Sequence, residues 1–236
     1  MIKAILFDYG GTLDTAARHW FHVLYEGYVC SGCSITVEQF RSAYVYAERA
    51  LARNLYILPT DDFFALLQKK VMVEVEYLLH NKVLKFSNSL EHYKLIESVA
   101  LYCEAYARRH VKAAAPLLSH FSQKYHLVMV SNFYGNLSHI LQTYGIAQYF
   151  DFIIESAVVG VRKPDSAIYK MAVETIGVGA ADCVVVGDSY TKDILPAFQL
   201  GCETVWFKGE DWESVTRDES LPTHVITSLS ELYKYY

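Results

Sequence analysis

Three short apolar segments of the sequence each end on side chains that could do chemistry together. They are KAILFD (3–8), HLVMVSN (126–132) and DCVVVGD (182–188). Their ends supply a carboxylate at Asp8, a hydroxyl at Ser131 and a second carboxylate at Asp188. A carboxylate can act as a nucleophile, and paired carboxylates offer the hard oxygen ligands that Mg²⁺ prefers.

The elements that must position these side chains follow from the hydrophobic pattern. Continuous Val, Ile and Leu runs are typical of strands covered on both faces, and 203–207 and 224–228 are weaker examples. Helical periodicity at 135–145 and 165–177 lies between the strands. This alternation predicts right-handed βαβ units in a doubly wound parallel α/β sheet. Ligands of such sheets bind outside the carboxyl ends of the strands, so we expect the three ends to meet there.

The segment from residue 16 to 112 has a different pattern. It contains almost no strand-like run, and it shows helical periodicity in four successive stretches. We therefore predict an all-helical cap domain at 16–112, inserted after the first strand. Residues 1–15 and 113–236 then form the α/β core.

Composition limits the classes of function. The 236 residues are 53% hydrophobic, enough for a sizeable core, and the formal net charge of −5 argues against a general nucleic-acid binder. No uninterrupted apolar run reaches the ~18 residues of a membrane span. The N-terminal apolar run fits a strand better than a signal peptide, so we expect no membrane association.

The five cysteines favour reduced thiols in a cytoplasmic protein, because their number is odd and their positions are scattered. Cys30 and Cys33 form one CxxC pair. No second pair or suitably spaced histidines follow it, so plain thiols are favoured over a zinc site. The sequence leaves the oligomeric state open.

Four regions of the chain resemble, in order, the motifs of the haloacid dehalogenase-like (HAD) hydrolase superfamily. They are FDYGGTLD (7–14), VMVSN (128–132), the lysine of VRKPD (161–165) and VVVGDSYTKDI (184–194). The last is the most specific, because Gly-Asp is followed after four residues by a further Asp. The resemblance covers essentially the whole chain. The helical insert is similar to the C1-type cap of a group that contains many small-molecule phosphatases.

This resemblance implies a metal-dependent phosphohydrolase acting on a small phosphorylated metabolite. Asp8 would be the nucleophile and form an aspartyl-phosphate. Asp8, Asp188 and the backbone carbonyl of Gly10 would bind Mg²⁺. Ser131 would hydrogen-bond a phosphoryl oxygen, and Lys163 would stabilise the charge of the transferring group.

Four further residues have expected supporting roles. Gly11, Thr12 and Asn132 are predicted to contact the substrate, since glycines after the first strand let the backbone approach a phosphate closely. Asp193 is predicted to orient Lys163 or metal-bound water instead of binding the metal directly.

Position 10 departs from the pattern. Family members that cleave phosphate esters normally carry a second aspartate two residues after the nucleophile, which protonates the leaving alcohol and then activates water. Gly10 keeps the carbonyl but has no side chain for either task. General acid–base catalysis is typically worth ~10²–10⁴-fold in rate, so we expect a handicap. Asp14 is the nearest acid that could replace it, and His19 with Trp20 could reach the cleft from the base of the cap.

Several functions remain compatible with this departure. One is a slow or specialised phosphatase, which uses a substrate with a good leaving group or an acid from the cap. Another is a phosphonatase-like C–P hydrolase with a Schiff-base lysine on the cap, for which the candidates are Lys69, Lys70, Lys82 and Lys85. A dehalogenase is a third, although such enzymes need no metal and the intact Asp188 motif argues against it. The fourth is a catalytically weakened binding or interaction module.

Overall fold

The structure is a computed structural model that describes residues 1–54, 56–212 and 215–236. The strands are β1 (Ala4–Phe7), β2 (His126–Ser131), β3 (Phe152–Glu155), β4 (Cys183–Gly187), β5 (Glu203–Phe207) and β6 (His224–Ile226). The α-helices are α1 (Trp20–Cys30), α2 (Val37–Arg53), α3 (Phe63–His80), α4 (Ser89–Phe121), α5 (Leu137–Thr143), α6 (Ser156–Val159), α7 (Ala167–Ile176) and α8 (Leu195–Leu200). A π-helical turn spans Tyr190–Ile194, and 3₁₀ turns span Ala147–Tyr149, Ala180–Asp182 and Leu229–Lys234.

In the described ranges, the strands form one six-stranded parallel sheet in the order β3-β2-β1-β4-β5-β6. β1 is central, and its Phe7 pairs with Met129 of β2 and with Val186 of β4. The carboxyl ends of β1, β2 and β4 therefore lie side by side. This arrangement confirms the predicted doubly wound parallel α/β sheet.

Alternate side chains of β1 enter two separate hydrophobic clusters, as the two-residue period of a strand requires. Ile5 and Phe7 pack into the cluster that also contains α5 and residues of α1 to α4, the four helices of the predicted cap. Ala4 and Leu6 pack into the cluster on the other face, which includes α7 and α8 residues. All four are fully buried. Helices on both faces explain why the strand reads as an unbroken apolar run.

The sequence pattern did not predict β3. The strand has only four residues and forms an edge of the sheet, and Phe152 at its start is exposed. A short edge strand lacks the continuous apolar run of a central one. Glu155 ends β3, and its carboxylate accepts hydrogen bonds from the Gly135 N–H at 2.5 Å and the Leu137 N–H at 3.2 Å. The acid thereby fixes the loop that leads into α5.

The four helices predicted for the insert are α1 to α4. Thr36 begins α2 with a capping box, and the Asp62 carboxylate begins α3 by accepting the Ala65 N–H at 2.8 Å. α4 runs for 33 residues and carries Pro116 in its interior. It continues unbroken across the predicted 112/113 boundary. The division into a cap at 16–112 and a core at 1–15 and 113–236 stays a proposal.

Among the described residues, no helix combines the length with the apolar character that a membrane span requires.

Candidate active site

Asp8 follows β1 directly, and each of its carboxylate oxygens is held by a neighbouring side chain. Oδ1 accepts the Lys163 ammonium at 2.6 Å and the Ser131 hydroxyl at 3.2 Å. Oδ2 lies 3.2 Å from the Thr12 hydroxyl. Asp8 is buried, with 6% of its surface exposed, and it lines a cleft. The carboxylate therefore has a fixed orientation at the carboxyl edge of the sheet.

Thr12 links the ends of β1 and β4. Its hydroxyl accepts the Asp188 N–H at 3.0 Å and lies 3.1 Å from Asp188 Oδ1, and it is fully buried beneath the carboxylates. Gly11 makes this approach possible. A Cβ at Gly11 would lie 2.4 Å from Asp188 Oδ2, and the backbone has a φ of +101°. Only glycine adopts this conformation and contact without strain.

Lys163 is held between two acids. Its ammonium donates to Asp8 and, at 2.7 Å, to Asp193 Oδ1. Asp193 also accepts the Tyr169 hydroxyl at 2.8 Å and the Ser189 N–H at 3.0 Å. Burial alone would lower the pKa of Lys163, but the charges of Asp193 and Asp8 raise it above its usual value. The lysine therefore remains a cation.

Asp193 can lie directly against the end of β4 because the last residue of that strand, Gly187, has no side chain. A Cβ on Gly187 would lie 2.5 Å from the Asp193 Cβ and Cγ. The π-helical turn Tyr190–Ile194 brings Asp193 back over the strand end. Tyr169 of α7 was not predicted from the sequence, since a tyrosine on the apolar face of a helix is usually a core residue.

The cluster has an excess of negative charge that suits a divalent cation. Carboxylate oxygens of Asp8, Asp188 and Asp193 lie within 4.8 Å of one another, and Lys163 offsets one of the three charges. Burial and the neighbouring carboxylates hold the pKa of Asp188 well above its usual range. Burial also raises the pKa of Asp8, against the opposing effect of Lys163. These hard oxygens fit Mg²⁺, which Asp8 and Asp188 would hold.

The remaining predicted residues lie around this cluster. Asn132 lines the cleft, but both ends of its amide bind the backbone of Lys163, at 2.9 Å and 3.0 Å. Gly11 also lines the cleft, and its N–H donates to Asp14 Oδ1 at 2.7 Å. The Asn132 amide thus orders the loop that carries Lys163, and the Gly11 N–H orders the turn that follows Asp8. Substrate contact by these residues, as by Thr12, stays a prediction.

Gly10 lines the cleft beside Asp8 and has open space around it. A Cβ built on this glycine would have no atom within 4 Å. The φ angle of Gly10 is not positive, so its backbone lies outside the left-handed region. The fold therefore admits a side chain at position 10, and its absence is not required for packing.

Asp14 does not take the place of the missing acid. It is fully buried, and its two oxygens accept the Gly11 N–H and, at 3.0 Å, the Trp20 indole N–H. Burial raises its pKa to about 8. Asp14 fixes the turn after β1 and connects it to Trp20, which lines the cleft.

The cleft has a volume of about 520 Å³ and lies between the sheet edge and the cap helices. Aromatic rings form much of its wall. They are Trp20, Tyr44, Phe63, Phe133, Tyr134, Tyr190 and Trp212. Several contact one another edge to face, as Trp20 and Phe63 do with ring centres 5.5 Å apart. Such walls favour flat apolar groups.

The cap contributes a charged pair that the sequence did not predict. The Lys70 ammonium of α3 binds the Glu48 carboxylate of α2, and the Tyr134 hydroxyl lies 3.3 Å from Glu48 Oε2. Burial opposes both charges, but each partner offsets it, so the pKa of Glu48 is lowered and that of Lys70 is raised well above its usual value. Three distant segments meet here, so no local pattern could indicate this pair.

Among the four lysines proposed for a Schiff base, Lys70 lines the cleft. Lys69 pairs with Asp61, and Lys82 and Lys85 are exposed. A Schiff-base lysine must be unprotonated to attack a carbonyl, which requires a lowered pKa. The raised pKa of Lys70 therefore speaks against the phosphonatase-like hypothesis.

His19 lies at the entrance to α1 and lines the cleft, as the sequence suggested. Its Nδ1 accepts the Phe21 N–H at 3.2 Å, so the neutral ring carries its proton on Nε2. Burial lowers the pKa of His19 to about 4, and Lys192 contributes in the same direction. The ring is uncharged at neutral pH.

A family model for haloacid dehalogenase-like hydrolases matches residues 2–201. The chain belongs to this family of hydrolases. It is 39% identical over 104 residues to haloacid dehalogenase-like hydrolase domain-containing protein 3 of Danio rerio, which covers 44% of this chain and 43% of that protein.

A second curated relative matches about half of the chain, whereas a solved structure matches nearly all of it. The chain is 31% identical over 117 residues to the 5-amino-6-(5-phospho-D-ribitylamino)uracil phosphatase YigB of Escherichia coli (strain K12), covering 49% of this chain and 48% of YigB. Each alignment thus spans about half the length of these curated relatives. The magnesium-bound HAD-hydrolase YfnB of Bacillus subtilis has the same fold, with a TM-score of 0.62, 22% identity and coverage of 99% of this chain and 97% of YfnB.

Proposed function

We propose that the protein is a metal-dependent phosphohydrolase that acts on a small phosphorylated metabolite through an aspartyl-phosphate on Asp8. The observation that carries the proposal is the Asp8 carboxylate. It lies at the cleft beside Asp188, and it is oriented by Lys163 and Ser131. The phosphatase YigB among the relatives supports the same class of reaction.

In the first step, an Asp8 oxygen attacks phosphorus, and the bond from phosphorus to the leaving oxygen breaks. Lys163 and Ser131 stabilise the negative charge on the phosphoryl oxygens as this bond exchange proceeds. In the second step, water attacks the aspartyl-phosphate, which releases inorganic phosphate and restores Asp8. Mg²⁺, when bound by Asp8, Asp188 and the Gly10 carbonyl, would supply charge neutralisation for the phosphate.

Asp193 and Tyr169 act on the reaction through Lys163. Asp193 balances the Lys163 charge and fixes its direction, and Tyr169 fixes Asp193. This is the positioning role expected for Asp193 from the sequence.

The free thiols of all five cysteines support a reducing, cytoplasmic location as part of the proposal.

The test is a phosphate-release screen over phosphorylated metabolites and acyl phosphates, with Mg²⁺ and with chelator. We expect release by the wild type that requires Mg²⁺ and is lost in Asp8→Asn. Asp165→Asn is the matched control, because Asp165 is an exposed acid whose Oδ1 accepts the Ala167 N–H, a bond that asparagine keeps. Absence of Asp8-dependent release from every compound would refute the enzyme and leave a binding role.

A further inference from the structure

The supply of protons in the cleft indicates the kind of leaving group. When a phosphate ester of an alcohol is cleaved, the departing oxygen becomes an alkoxide unless an acid protonates it. Gly10 beside Asp8 carries no acid, although the space around it is open. Asp14 is buried with both oxygens bonded. The turn after β1 therefore delivers no proton to the cleft.

The cap does not supply this proton either. Among the described residues that it directs into the cleft, His19 is a neutral base with a lowered pKa, and Glu48 is held ionised by Lys70. Lys70 is too weak an acid while it is paired with Glu48. The hydroxyls of Tyr44 and, outside the cap, of Tyr134 have pKa values raised by burial. Asp211, also outside the cap, lines the cleft as an exposed carboxyl group whose Oδ1 accepts the Trp212 N–H at 2.6 Å. These groups can bind a leaving group but are poorly matched to protonate one near neutral pH.

The walls of the cleft indicate the shape of the leaving group. Trp20, Phe63 and Phe133 line the same cleft as Asp8, and the Tyr9 ring packs edge to face against Phe133 with ring centres 5.6 Å apart. Offset or edge-to-face contacts with such rings contribute about 0.5–1.5 kcal/mol per aromatic pair beyond area burial. These rings favour a flat aromatic leaving group over a short aliphatic chain.

From these observations, and resting on the proposed function, we propose that the substrate is the phosphate monoester of a phenol. The electron pair of the broken P–O bond remains on the phenolate oxygen, and the phenolate is protonated later by water. A phenol ionises with a pKa of about 10, so the phenolate leaves without help from an acid. An aliphatic alcohol is a much weaker acid and needs that help.

The second step, unlike the first, does not depend on the leaving group. Water attacks the same aspartyl-phosphate whatever the substrate was, and this attack lacks a base beside Asp8 that would aid it. A phenyl ester therefore phosphorylates Asp8 faster than water removes the phosphate. This imbalance predicts a burst of phenol release stoichiometric with the enzyme, followed by slower turnover.

The experiment compares phenyl phosphate with benzyl phosphate, which shares the ring but releases an aliphatic alkoxide. Acetyl phosphate adds a good leaving group without a ring. For the wild type with Mg²⁺, we expect kcat/KM for phenyl phosphate to exceed that for benzyl phosphate by ~10²-fold or more, the range that acid catalysis covers. It should also exceed the value for acetyl phosphate, and stopped-flow traces should show the phenol burst.

The variants Gly10→Asp and Gly10→Asn are matched in size, and only the first adds an acid. Gly10→Asp should raise kcat/KM for benzyl phosphate by ~10²–10⁴-fold, shrink the phenyl-to-benzyl ratio and abolish the burst. Gly10→Asn should leave the ratio unchanged.

Asp8-dependent hydrolysis with equal kcat/KM for phenyl and benzyl phosphate overturns the inference but keeps the phosphohydrolase. A higher kcat/KM for acetyl phosphate than for phenyl phosphate likewise overturns the inference that the leaving group is a phenol. Absence of Asp8-dependent release from all three compounds overturns the inference and counts against the proposed function itself, which the metabolite screen then decides.

Discussion

At the scale of single residues, the site depends on how one lysine is held. Lys163 is buried at 3% exposure and donates to Asp8 and Asp193 together. Without Asp193, the buried ammonium keeps Asp8 as its ionic partner but loses the second contact that fixes its direction. Its position relative to the phosphoryl group would then change.

We therefore expect Asp193→Asn to lower kcat by ~10²-fold or more while KM changes by less than about fivefold, because the lost interaction stabilises charge in the transition state. Steady-state kinetics on the best substrate from the screen measure the two constants separately. Tyr169→Phe removes only the hydroxyl that fixes Asp193, so its kcat should lie between the wild type and Asp193→Asn.

A larger change in KM than in kcat for Asp193→Asn would contradict this positioning role. Thermal melting provides the structural check, since both variants should retain a single cooperative transition.

Residue-scale prediction from the sequence was strongest at the ends of the central strands. Asp8, Ser131 and Asp188 end neighbouring parallel strands, so strand pairing brings them together. The Glu48–Lys70 pair was beyond such prediction, because its partners come from separate helices whose packing no local pattern encodes. Asp14 illustrates a different limit. Its spacing from Asp8 is visible in the sequence, but its burial and its hydrogen bond from the Trp20 indole are not.

At the scale of elements, the turn after β4 holds Asp193 through close contact at Gly187. The sequence indicated β4 by its valine run, and it indicated the acid spacing after it. It did not indicate the π-helical turn, since this conformation has no distinct hydrophobic period. β3 was missed for a related reason, because four residues at an edge carry too little pattern.

We expect Gly187→Ala to lower the free energy of unfolding by ~1–3 kcal/mol, as overpacking typically does, and to displace Asp193. A methyl group there would lie 2.5 Å from the Asp193 Cβ. Gly10→Ala is the matched control, because its methyl group would have no neighbour within 4 Å. Urea titration monitored by tryptophan fluorescence measures both.

The control should be neutral or stabilised by ~0.4–1 kcal/mol, because alanine reduces the freedom of the unfolded chain. Equal destabilisation of both variants would show that the contact at Gly187 is not the cause.

At the scale of the whole molecule, the cap interior contains a carboxyl group whose ionisation opposes folding. Glu74 of α3 is fully buried, and burial raises its pKa from 4.5 to about 8. Tyr28 of α1 donates to Glu74 Oε2 at 3.1 Å, and Lys70 and Glu48 are the charged groups near it. In the unfolded chain the same group ionises near its ordinary pKa.

Because the folded state binds the Glu74 proton more tightly, its contribution to stability is complete below about pH 4.5 and is lost as the pH rises through about 8. We expect Glu74→Gln to remove ~2–5 kcal/mol of the fall in unfolding free energy between acidic and alkaline pH. Urea titrations at about pH 5, pH 7 and pH 9 measure this difference.

Glu76→Gln is the control, since Glu76 is an exposed acid on the same helix. Asp14 has a pKa raised in the same direction, but it is present in every variant and cancels from the comparison. A pH profile of Glu74→Gln that parallels the wild type would exclude Glu74 as the source.

The proline inside α4 has a consequence for where this long helix can bend. The nitrogen of Pro116 carries no hydrogen, so the Lys112 carbonyl one turn earlier receives no helical hydrogen bond from it. On one side of this gap, α4 packs against α1 and α3, and on the other Phe121 packs against Tyr233 near the C-terminus. Helices bend most readily at such a gap. We expect α4 to bend most readily at residues 112–116, so this one turn would be the pivot of any movement of the preceding helices relative to the sheet.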